Sequence, residues 1–257
     1  MTARVNWWAA AMVEPKLLIL GGTTLAAQLA GAVAARGMAA TYSLAGRTTA
    51  KPIAGVTIRQ GGFGGADALA AFIRAEGMTA VIDATHAFAP QISLNAETAC
   101  RMAGCPLLRL QAPPWQAAAG DHWRDVPDIT AARDVAAAMA SRVFVTTGRQ
   151  TMAQFSQDSR CWWLARVIAP GDDLPVLANG RYLFARGPFD VAGEVALLQE
   201  HDIAAIITKN AGSQATYAKV LAARQCALPV VMIARPPQGE APLATSVEAA
   251  LKWLDTL

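Results

Sequence analysis

The chain has 257 residues, of which 54% are hydrophobic and 16% are charged, and it carries a net charge of +3. This length suffices for one large domain or two ordinary domains with buried cores. The net charge is too small to indicate a nucleic-acid-binding protein, and no segment reaches the ~18–20 consecutive apolar residues of a membrane span. These properties predict a cytoplasmic globular protein without nucleic-acid or membrane partners.

The first fifteen residues and the four cysteines both favour an intracellular protein. Residues 1–15 are partly apolar but lead directly into the first predicted strand, so we interpret them as a disordered extension or the result of an upstream start codon, not as an export signal. The cysteines form no C-x-x-C pair and have no histidine at ligand spacing; they are Cys100, Cys105, Cys161 and Cys226. Their pattern favours reduced, buried thiols over disulfides or a metal site.

Apolar runs alternate with helix-period segments along the first half, which is typical of a parallel sheet built from βαβ units. Strands are predicted at Lys16–Leu20, Ala40–Leu44, Val56–Arg59, Ala80–Ile82 and Leu107–Leu110, and helices at Leu25–Arg36, Ala66–Glu76 and Ala89–Ala103. The stretch 39–59 has little helix signal, so one crossover is expected to be a loop. These elements predict an N-terminal Rossmann-like domain over 16–140.

A second alternation of strands and helices begins at Arg142. Strands are predicted at Arg142–Val145, Trp162–Val167, Tyr182–Ala185, Ala205–Ile207 and Val230–Ile233, and helices at Val191–His201, Ser213–Gln225 and Val247–Leu257. Before it, the proline-containing segment Gln111–Asp128 is interpreted as a linker. The sequence therefore predicts an α/β protein of two Rossmann-like domains with parallel sheets and a cleft between them, the second covering 141–257.

The first strand ends in a glycine turn that leads directly into a helix. Gly21, Gly22, Thr23 and Thr24 form this turn. Such a turn brings backbone N–H groups to a phosphate, whose negative charge the helix dipole favours, so these four residues are candidates to bind the pyrophosphate of a dinucleotide. Only part of the G-x-G-x-x-G pattern is present, and an ordinary βα turn without a nucleotide is the alternative.

Arg47 stands where a dinucleotide-binding domain places the residue that contacts the ribose. NAD-binding sites have Asp or Glu at this point, whereas the segment Ser43–Arg47 has no acid and one arginine. A guanidinium suits a 2′-phosphate, and hydrogen bonds to charged groups are worth roughly 1.5–3 kcal/mol. The sequence therefore favours NADP(H) over NAD(H), although a lone arginine here is also commonly solvated.

Two further loops of the first half follow predicted strands. Gly62 and Phe63 are candidates to bind the cofactor and lie in a loop of four glycines, Gly61–Gly65. This loop would let a flat ligand approach the backbone and stack on Phe63, or it would simply be a flexible surface turn. The segment Asp83-Ala84-Thr85-His86 places polar groups at a strand terminus, where ligands of open parallel sheets bind. His86 would donate to a ligand or relay a proton, or these groups would cap the turn.

In the second half, four predicted strands each end in one cation. These residues are Arg149, Arg186, Lys209 and Arg235. A single cation is commonly just solvated, but four at corresponding strand ends would converge on one anionic ligand. Because guanidinium–carboxylate pairs are directional, we expect this set to bind a polycarboxylate.

With these loops considered together, the chain resembles the precorrin-6A reductase family of the cobalamin pathway, from about Lys16 to the C-terminus. The segments that carry the resemblance are Leu20–Thr24, Ala45–Arg47, Gly61–Gly65, Ile82–His86, Ala185–Phe189 and Lys209–Gly212. It implies NADPH-dependent reduction of one carbon–carbon double bond of the precorrin-6A macrocycle to give precorrin-6B, with hydride added at a ring carbon and a proton at its neighbour. It also implies that cofactor and macrocycle lie in a cleft between two Rossmann-like domains.

The resemblance also implies roles for the candidate residues. Gly21 to Thr24 would hold the pyrophosphate and Arg47 the 2′-phosphate, while Asp83, Ala84, Thr85 and His86 would line the nicotinamide end. Arg149, Arg186, Lys209 and Arg235 would bind substrate carboxylates, and His86 or Lys209 would donate the proton unless solvent or the substrate does so. No metal is expected, the protein would be a monomer or homodimer, and handover of product to the next pathway enzyme is a further expectation. The alternatives are a non-catalytic NADP(H) sensor and a reductase of another polycarboxylate.

Overall fold

The computed structural model describes residues 15–46 and 52–257 and divides into two α/β units. The first unit comprises the described residues up to Gln111 together with Gly239–Leu257, and the second comprises Ala112–Gln238. Each contains one six-stranded sheet in which every neighbouring pair of strands is parallel. The predicted α/β class with parallel sheets is therefore confirmed. Within the described ranges, no helix combines the length and apolar character that crossing a membrane would need.

The first unit has the strand order of dinucleotide-binding folds. Its strands, numbered along the whole chain, are β1 (Lys16–Leu20), β2 (Ala39–Leu44), β3 (Val56–Gln60), β4 (Ala80–Asp83), β5 (Leu107–Leu110) and β12 (Leu243–Ala244). Its helices are α1 (Thr24–Ala35), α2 (Ala66–Ala75), α3 (Pro90–Ala103) and α7 (Val247–Leu254). Across the sheet the order is β3-β2-β1-β4-β5-β12, which is the 3-2-1-4-5-6 order with β12 in the sixth position.

Both faces of this sheet are covered, which explains the unbroken apolar run of β1. Leu17 and Ile19 pack in a core cluster with residues of α1 and α7, while Leu18 and Leu20 pack in another with residues of α2 and α3. A strand covered on both sides needs apolar residues at every position, without the alternation of a half-exposed strand. The strand order changes direction between β1 and β4, so a ligand of this unit is expected beyond their carboxyl ends.

The second unit repeats this order with different chain connections. Its strands are β6 (His122–Val126), β7 (Arg142–Val145), β8 (Trp162–Val167), β9 (Gly180–Phe184), β10 (Ala205–Lys209) and β11 (Pro229–Ile233). Its helices are α4 (Ile129–Met139), α5 (Val191–Glu200) and α6 (Ala218–Gln225), with 3-10 turns at Arg149–Gln154 and Gln214–Thr216. The order is β9-β8-β7-β10-β11-β6, so β7 and β10 correspond to β1 and β4, and β6 takes the sixth position.

The structure divides the chain at other positions than the predicted boundary between residues 140 and 141. The segment Gln111–Asp128, interpreted as a linker, contains β6, which pairs with β11 and belongs to the second unit. At the other end, β12 pairs with β5, so the C-terminal segment belongs to the first unit and not the second. The prediction failed because β6 is a short, mostly polar edge strand in which only Val126 is buried. The predicted N-terminal extension, except Pro15, lies outside the described residues.

Candidate cofactor and substrate sites

The glycine turn after β1 is fitted closely against β2. The Gly21 N–H donates to the Ser43 carbonyl oxygen at 2.8 Å, and the Gly22 N–H donates to the Tyr42 hydroxyl at 3.1 Å. A Cβ added to Gly21 would lie 2.2 Å from Cε2 of Tyr42, so a larger residue does not fit there. Burial raises the pKa of Tyr42, which keeps its hydroxyl protonated beside the turn.

Thr23 joins this turn to the loop after β4. Its Oγ1 accepts from the Ala26 N–H at 3.1 Å, which caps α1, and donates to the Ala84 carbonyl oxygen at 2.8 Å. The Ala84 N–H in turn donates to the Leu20 carbonyl oxygen at 2.9 Å. The hydroxyl proton of Thr23 is thus used within the unit, whereas Thr24, the first residue of α1, is exposed.

Asp83, the last residue of β4, is fully buried and organises the loop that follows. Its Oδ1 accepts from the backbone N–H of Thr85 at 3.0 Å and from the Thr85 hydroxyl at 2.6 Å. Its Oδ2 accepts from the hydroxyl of Ser93 in α3 at 2.5 Å. This carboxylate therefore holds strand, loop and helix together, as in the capping alternative that the sequence left open.

His86 is the exposed member of the same loop. Its Nδ1 accepts from the Phe88 N–H at 3.2 Å, and its ring lies 5.8 Å from the Phe88 ring, centroid to centroid. Because Asp83 and Thr85 hydrogen-bond to each other, His86 is the side chain of this loop that the geometry presents to solvent.

Arg59, which the sequence prediction did not single out, organises the glycine loop after β3. Its guanidinium donates to the carbonyl oxygens of Gly61 and Gly62 and to the Ser43 hydroxyl, and its Cζ lies 3.7 Å from the Phe63 ring centroid. One face of Phe63, predicted to stack on a ligand, is thus covered by this cation. In the sequence, Arg59 could have been identified as a charged residue at a strand end beside a glycine loop. Arg47 lies outside the described residues.

The backbone of the first unit fits an extended anionic cofactor at two loops. An added Cβ at Gly22, Gly61, Gly62 or Gly64 would meet nothing within 4 Å, so the chain there faces open space. Gly22 has φ +117°, a conformation that other residues rarely adopt. Together with the start of α1, whose first N–H groups have no acceptor one turn back in the helix, the β1 turn suits a pyrophosphate.

In the second unit, the turn after β7 is held by threonines and carries a cation. Thr146 donates from its N–H and its hydroxyl to the Ile207 carbonyl oxygen, each at 3.0 Å. Arg149 follows Gly148, and its guanidinium binds the Asp173 carboxylate and the carbonyl oxygen of Pro170, the latter at 3.0 Å. Arg149 therefore holds the segment after β8 in place.

Lys209 and Arg235 lie at the carboxyl ends of the paired strands β10 and β11, in different environments. Lys209 is half-buried, and burial lowers the pKa of its amine. Arg235 donates to the backbone carbonyl oxygens of Ala112, Asn210 and Ala211 at 2.7–3.0 Å. It thereby ties the segment that enters the second unit to the loop after β10.

Arg186 follows β9 and is exposed. All strands of this sheet are parallel, so their carboxyl ends lie on the same side of the sheet. The cations at the ends of β7, β9, β10 and β11 therefore lie on that side. The four predicted residues thus lie at or after the carboxyl ends of strands of one sheet, and Arg149 and Arg235 hold loops there.

A buried polar cluster that the sequence analysis missed lies in the same unit. Arg166 of β8 forms a two-point ion pair with Glu194 of α5, and the two side chains are 6% and 2% exposed. Lys219 of α6 is buried, and its Nζ donates to the Thr216 carbonyl oxygen at 2.7 Å. Burial and then the Arg166 charge lower the pKa of Lys219 to about 7, against the opposing effect of Glu194. A charged residue in an apolar context was the only signal in the sequence.

The strand order of the two parallel sheets, with a glycine turn at the switch point of one and cations at the strand ends of the other, defines a two-unit α/β protein of Rossmann-like topology. The family model described as precorrin-6x reductase CbiJ/CobK matches residues 16–255. The chain belongs to this family.

Relatives support the assignment over nearly the whole length. The chain is 40% identical to the precorrin-6A reductase of Rhodobacter capsulatus over 93% of this chain and 95% of that protein, and 42% identical to that of Rhodococcus erythropolis over 94% and 98%. It is 29% identical to the cobalt-precorrin-6A reductase of Salmonella typhimurium over 92% of each chain. A solved structure of CobK precorrin-6A reductase matches with a TM-score of 0.88 and 40% identity, covering 94% of this chain and 96% of that one.

Proposed function

We propose that this protein reduces one carbon–carbon double bond of precorrin-6A to give precorrin-6B in cobalamin biosynthesis, with NADPH as the reductant. The observation that carries the proposal is the roughly 40% identity to precorrin-6A reductases along almost the full chain. The resemblance inferred from the loops leads to the same activity. The glycine turn and the cationic strand ends support the division into a cofactor-binding and a substrate-binding unit.

The first unit is proposed to bind NADPH, which supplies the hydride when it is bound. Gly21 and Gly22 let the backbone approach the pyrophosphate, and the start of α1 provides N–H donors. Thr24 is exposed at that helix start and is the hydroxyl available to a phosphate, since Thr23 donates to Ala84. Arg47 is proposed to bind the 2′-phosphate.

The loop after β4 is proposed to border the nicotinamide. Asp83 acts here by fixing the backbone of Ala84 and Thr85, because its oxygens accept bonds from Thr85 and Ser93. His86 is exposed on this fixed loop and is one candidate proton donor.

The second unit is proposed to bind the carboxylates of the macrocycle. We assign the direct contacts first to Arg186, because it is exposed, whereas Arg149 and Arg235 already bind carboxylate or carbonyl groups of their own unit. Lys209, at the end of β10, is proposed as a further contact. Lys209 is the other candidate proton donor, since burial lowers its pKa and so makes its amine a stronger acid than an exposed lysine.

The proposal is tested by incubating the purified protein with NADPH and precorrin-6A, metal-free and cobalt-loaded in parallel. Loss of NADPH absorbance only when a tetrapyrrole is supplied is the expected result. Binding of NADPH without its oxidation in either reaction would instead indicate a non-catalytic sensor. Oxidation with unrelated polycarboxylates at the same rate would indicate another reductase.

The preference for NADPH over NADH is tested at Arg47. An Arg47→Ala variant is expected to have a KM for NADPH at least tenfold higher, with a much smaller change for NADH, because only NADPH carries the 2′-phosphate. Equal effects on both cofactors would remove Arg47 from this role.

Three further properties stay predictions. We propose a cytoplasmic location, a monomeric or homodimeric state, and handover of the product to the next enzyme of the pathway. Size-exclusion chromatography with light scattering distinguishes monomer from dimer. A slower release of product in the absence of that next enzyme would support handover.

A further inference from the structure

The end of α3 brings two cysteines together outside the loops proposed for cofactor binding. Gly104 follows the helix with φ 65° and ψ 29°, a left-handed conformation that reverses the chain. The Cys105 N–H then donates to the Cys100 carbonyl oxygen at 3.0 Å, and the Gly104 N–H donates to that of Arg101 at 3.4 Å. These two bonds define a Schellman motif, which frequently brings together the side chains at the positions of Cys100 and Cys105. Cys105 packs against the core cluster that contains Cys100.

The two thiols differ in exposure and acidity. Cys100 is 3% exposed and belongs to the core cluster on the α2 and α3 face, while Cys105 packs against that cluster and is only half-buried. The Cys105 thiol donates to the Met78 carbonyl oxygen at 3.6 Å. The neighbouring thiols also act on each other, which raises the pKa of Cys100 and lowers that of Cys105. Cys105 is thus both the more accessible thiol and the one that ionises first, which are the properties of an attacking thiol.

We propose that Cys100 and Cys105 form a dithiol that a hydroperoxide oxidises to an intramolecular disulfide. The Cys105 thiolate attacks the peroxide, the O–O bond breaks, and a sulfenic acid and hydroxide form. The sulfur of Cys100 then displaces the hydroxyl group from Cys105 as the S–S bond forms and the thiol proton is lost. In total, two thiols and one hydrogen peroxide give one disulfide and two waters, so the peroxide is reduced and the thiols are oxidised.

The sequence makes this bond simple to detect. Trypsin cleaves after Arg74, Arg101 and Arg109, so the two cysteines fall in separate peptides, 75–101 and 102–109. After treatment of the full chain with hydrogen peroxide and digestion without reductant, we expect these peptides linked, two hydrogens lighter than their sum. This species should exceed any other cysteine pairing at least tenfold and should disappear after reduction.

Four variants control the experiment. Cys105→Ser abolishes the linked peptide, whereas Cys100→Ser leaves Cys105 as a sulfenic acid that dimedone traps. Cys100→Ala serves in the same way if the serine variant does not fold. Cys226→Ser removes the other half-buried thiol and should leave the yield of linked peptide unchanged.

Two results would overturn the proposal. One is oxidation of Cys105 to sulfinic acid in the wild-type chain without the linked peptide, which would show that Cys100 does not reach it. The other is alkylation of reduced Cys105 no faster than that of Cys100, where at least a tenfold difference is expected.

Discussion

In the first unit the chain leaves β1 through two glycines and enters the twelve-residue helix α1, whereas in the second it leaves β7 through Thr146, Thr147 and Gly148 and makes only a six-residue 3-10 turn. Both turns stand at the switch point of the same strand order. The first turn keeps the backbone bare at the start of a long helix, which suits a phosphate. The second leads into Arg149, so charge is supplied by a side chain instead.

The sixth strand of each sheet also differs in origin. β12 reaches the first sheet after the chain has completed the second unit, whereas β6 precedes all other strands of the second sheet. An edge strand pairs with only one neighbour. The sixth position can therefore be taken by the last strand of a unit, as in the first sheet, or by its first strand, as in the second. The central pairs β1–β4 and β7–β10 instead lie where the strand order changes direction, so they determine which loops meet at the switch point.

The largest expected effect is on the stability of the loop after β4, which Asp83 holds in place. In the second unit, the corresponding loop after β10 is held by Asn210, which hydrogen-bonds to the backbone of Trp115. Asp83→Ala leaves the buried donors of Thr85 and Ser93 without an acceptor, so we expect the free energy of unfolding to fall by about 3–5 kcal/mol. Urea unfolding measures it. Asp67→Ala, an exposed acid in the first turn of α2, should cost at most about 1 kcal/mol, and an equal loss would contradict the anchoring role.

The next largest expected effect is on the affinity for NADPH, and it shows whether the glycine turn after β1 contacts the cofactor. Gly21→Ala forces Tyr42 aside and disturbs the Gly22 bond to its hydroxyl, so we expect the Kd for NADPH to rise about a hundredfold, or about 2.7 kcal/mol. Calorimetry measures this binding. Gly31→Ala is the matched control, because its added Cβ meets nothing within 4 Å inside α1. It should leave NADPH affinity unchanged and stabilise the helix by about 0.5–1 kcal/mol. Equal Kd values for both variants would show that the turn does not bind the cofactor.

The strands with buried, unbroken apolar runs were predictable from the sequence. β1, β5, β7 and β8 were predicted at the bounds that the structure has. β6 and β12 were missed because a short edge strand buries little and takes its place from a distant partner: Leu243 pairs with Arg109, and His122 with Pro229. No local pattern encodes such pairings, and the domain boundary failed with them.

The site was predictable at the level of loops but not of side-chain partners. Composition and spacing indicated which strand ends carry glycines or cations. They did not show that Thr23 donates to Ala84, that Arg59 covers Phe63, or that Asp83 accepts from Ser93 of α3. Those contacts depend on which loops the strand order places side by side. The ligand contacts of the candidate residues stay predictions.

A smaller effect is expected on substrate binding alone, which would show that the second unit binds the substrate and the first the cofactor. Arg186→Ala removes an exposed cation after β9, so we expect the KM for precorrin-6A to rise roughly tenfold to a hundredfold, or about 1.5–3 kcal/mol. NADP⁺ affinity by calorimetry should not change, because the residue belongs to the second unit. Arg181→Ala, an exposed arginine within β9 rather than beyond its end, is the control. Unchanged turnover kinetics for Arg186→Ala would remove this residue from the site.

The smallest expected effect is the change in the free energy of unfolding per pH unit that the buried amine of Lys219 causes. Lys219 has a pKa of about 7 in the folded chain, lowered first by burial and then by Arg166, against an ordinary value of 10.5. Between these values the unfolded chain binds one proton more, so Lys219 makes the free energy of unfolding rise with pH by up to about 1.4 kcal/mol per unit. This contribution is lost as the pH falls toward 7.

Lys219→Met keeps an unbranched chain and removes the amine, so its unfolding free energy should lack this slope. Urea unfolding of both proteins near pH 7 and near pH 9 should therefore show wild type gaining about 2–3 kcal/mol relative to the variant. Lys252→Met, at an exposed lysine of α7, should change stability by no more than about 0.5 kcal/mol at either pH. Parallel pH profiles for wild type and Lys219→Met would mean that the amine is solvated in the folded chain. The buried charges of the second unit would then be those of the Arg166–Glu194 ion pair, and its contrast with the first unit would rest on that pair and on the strand-end cations.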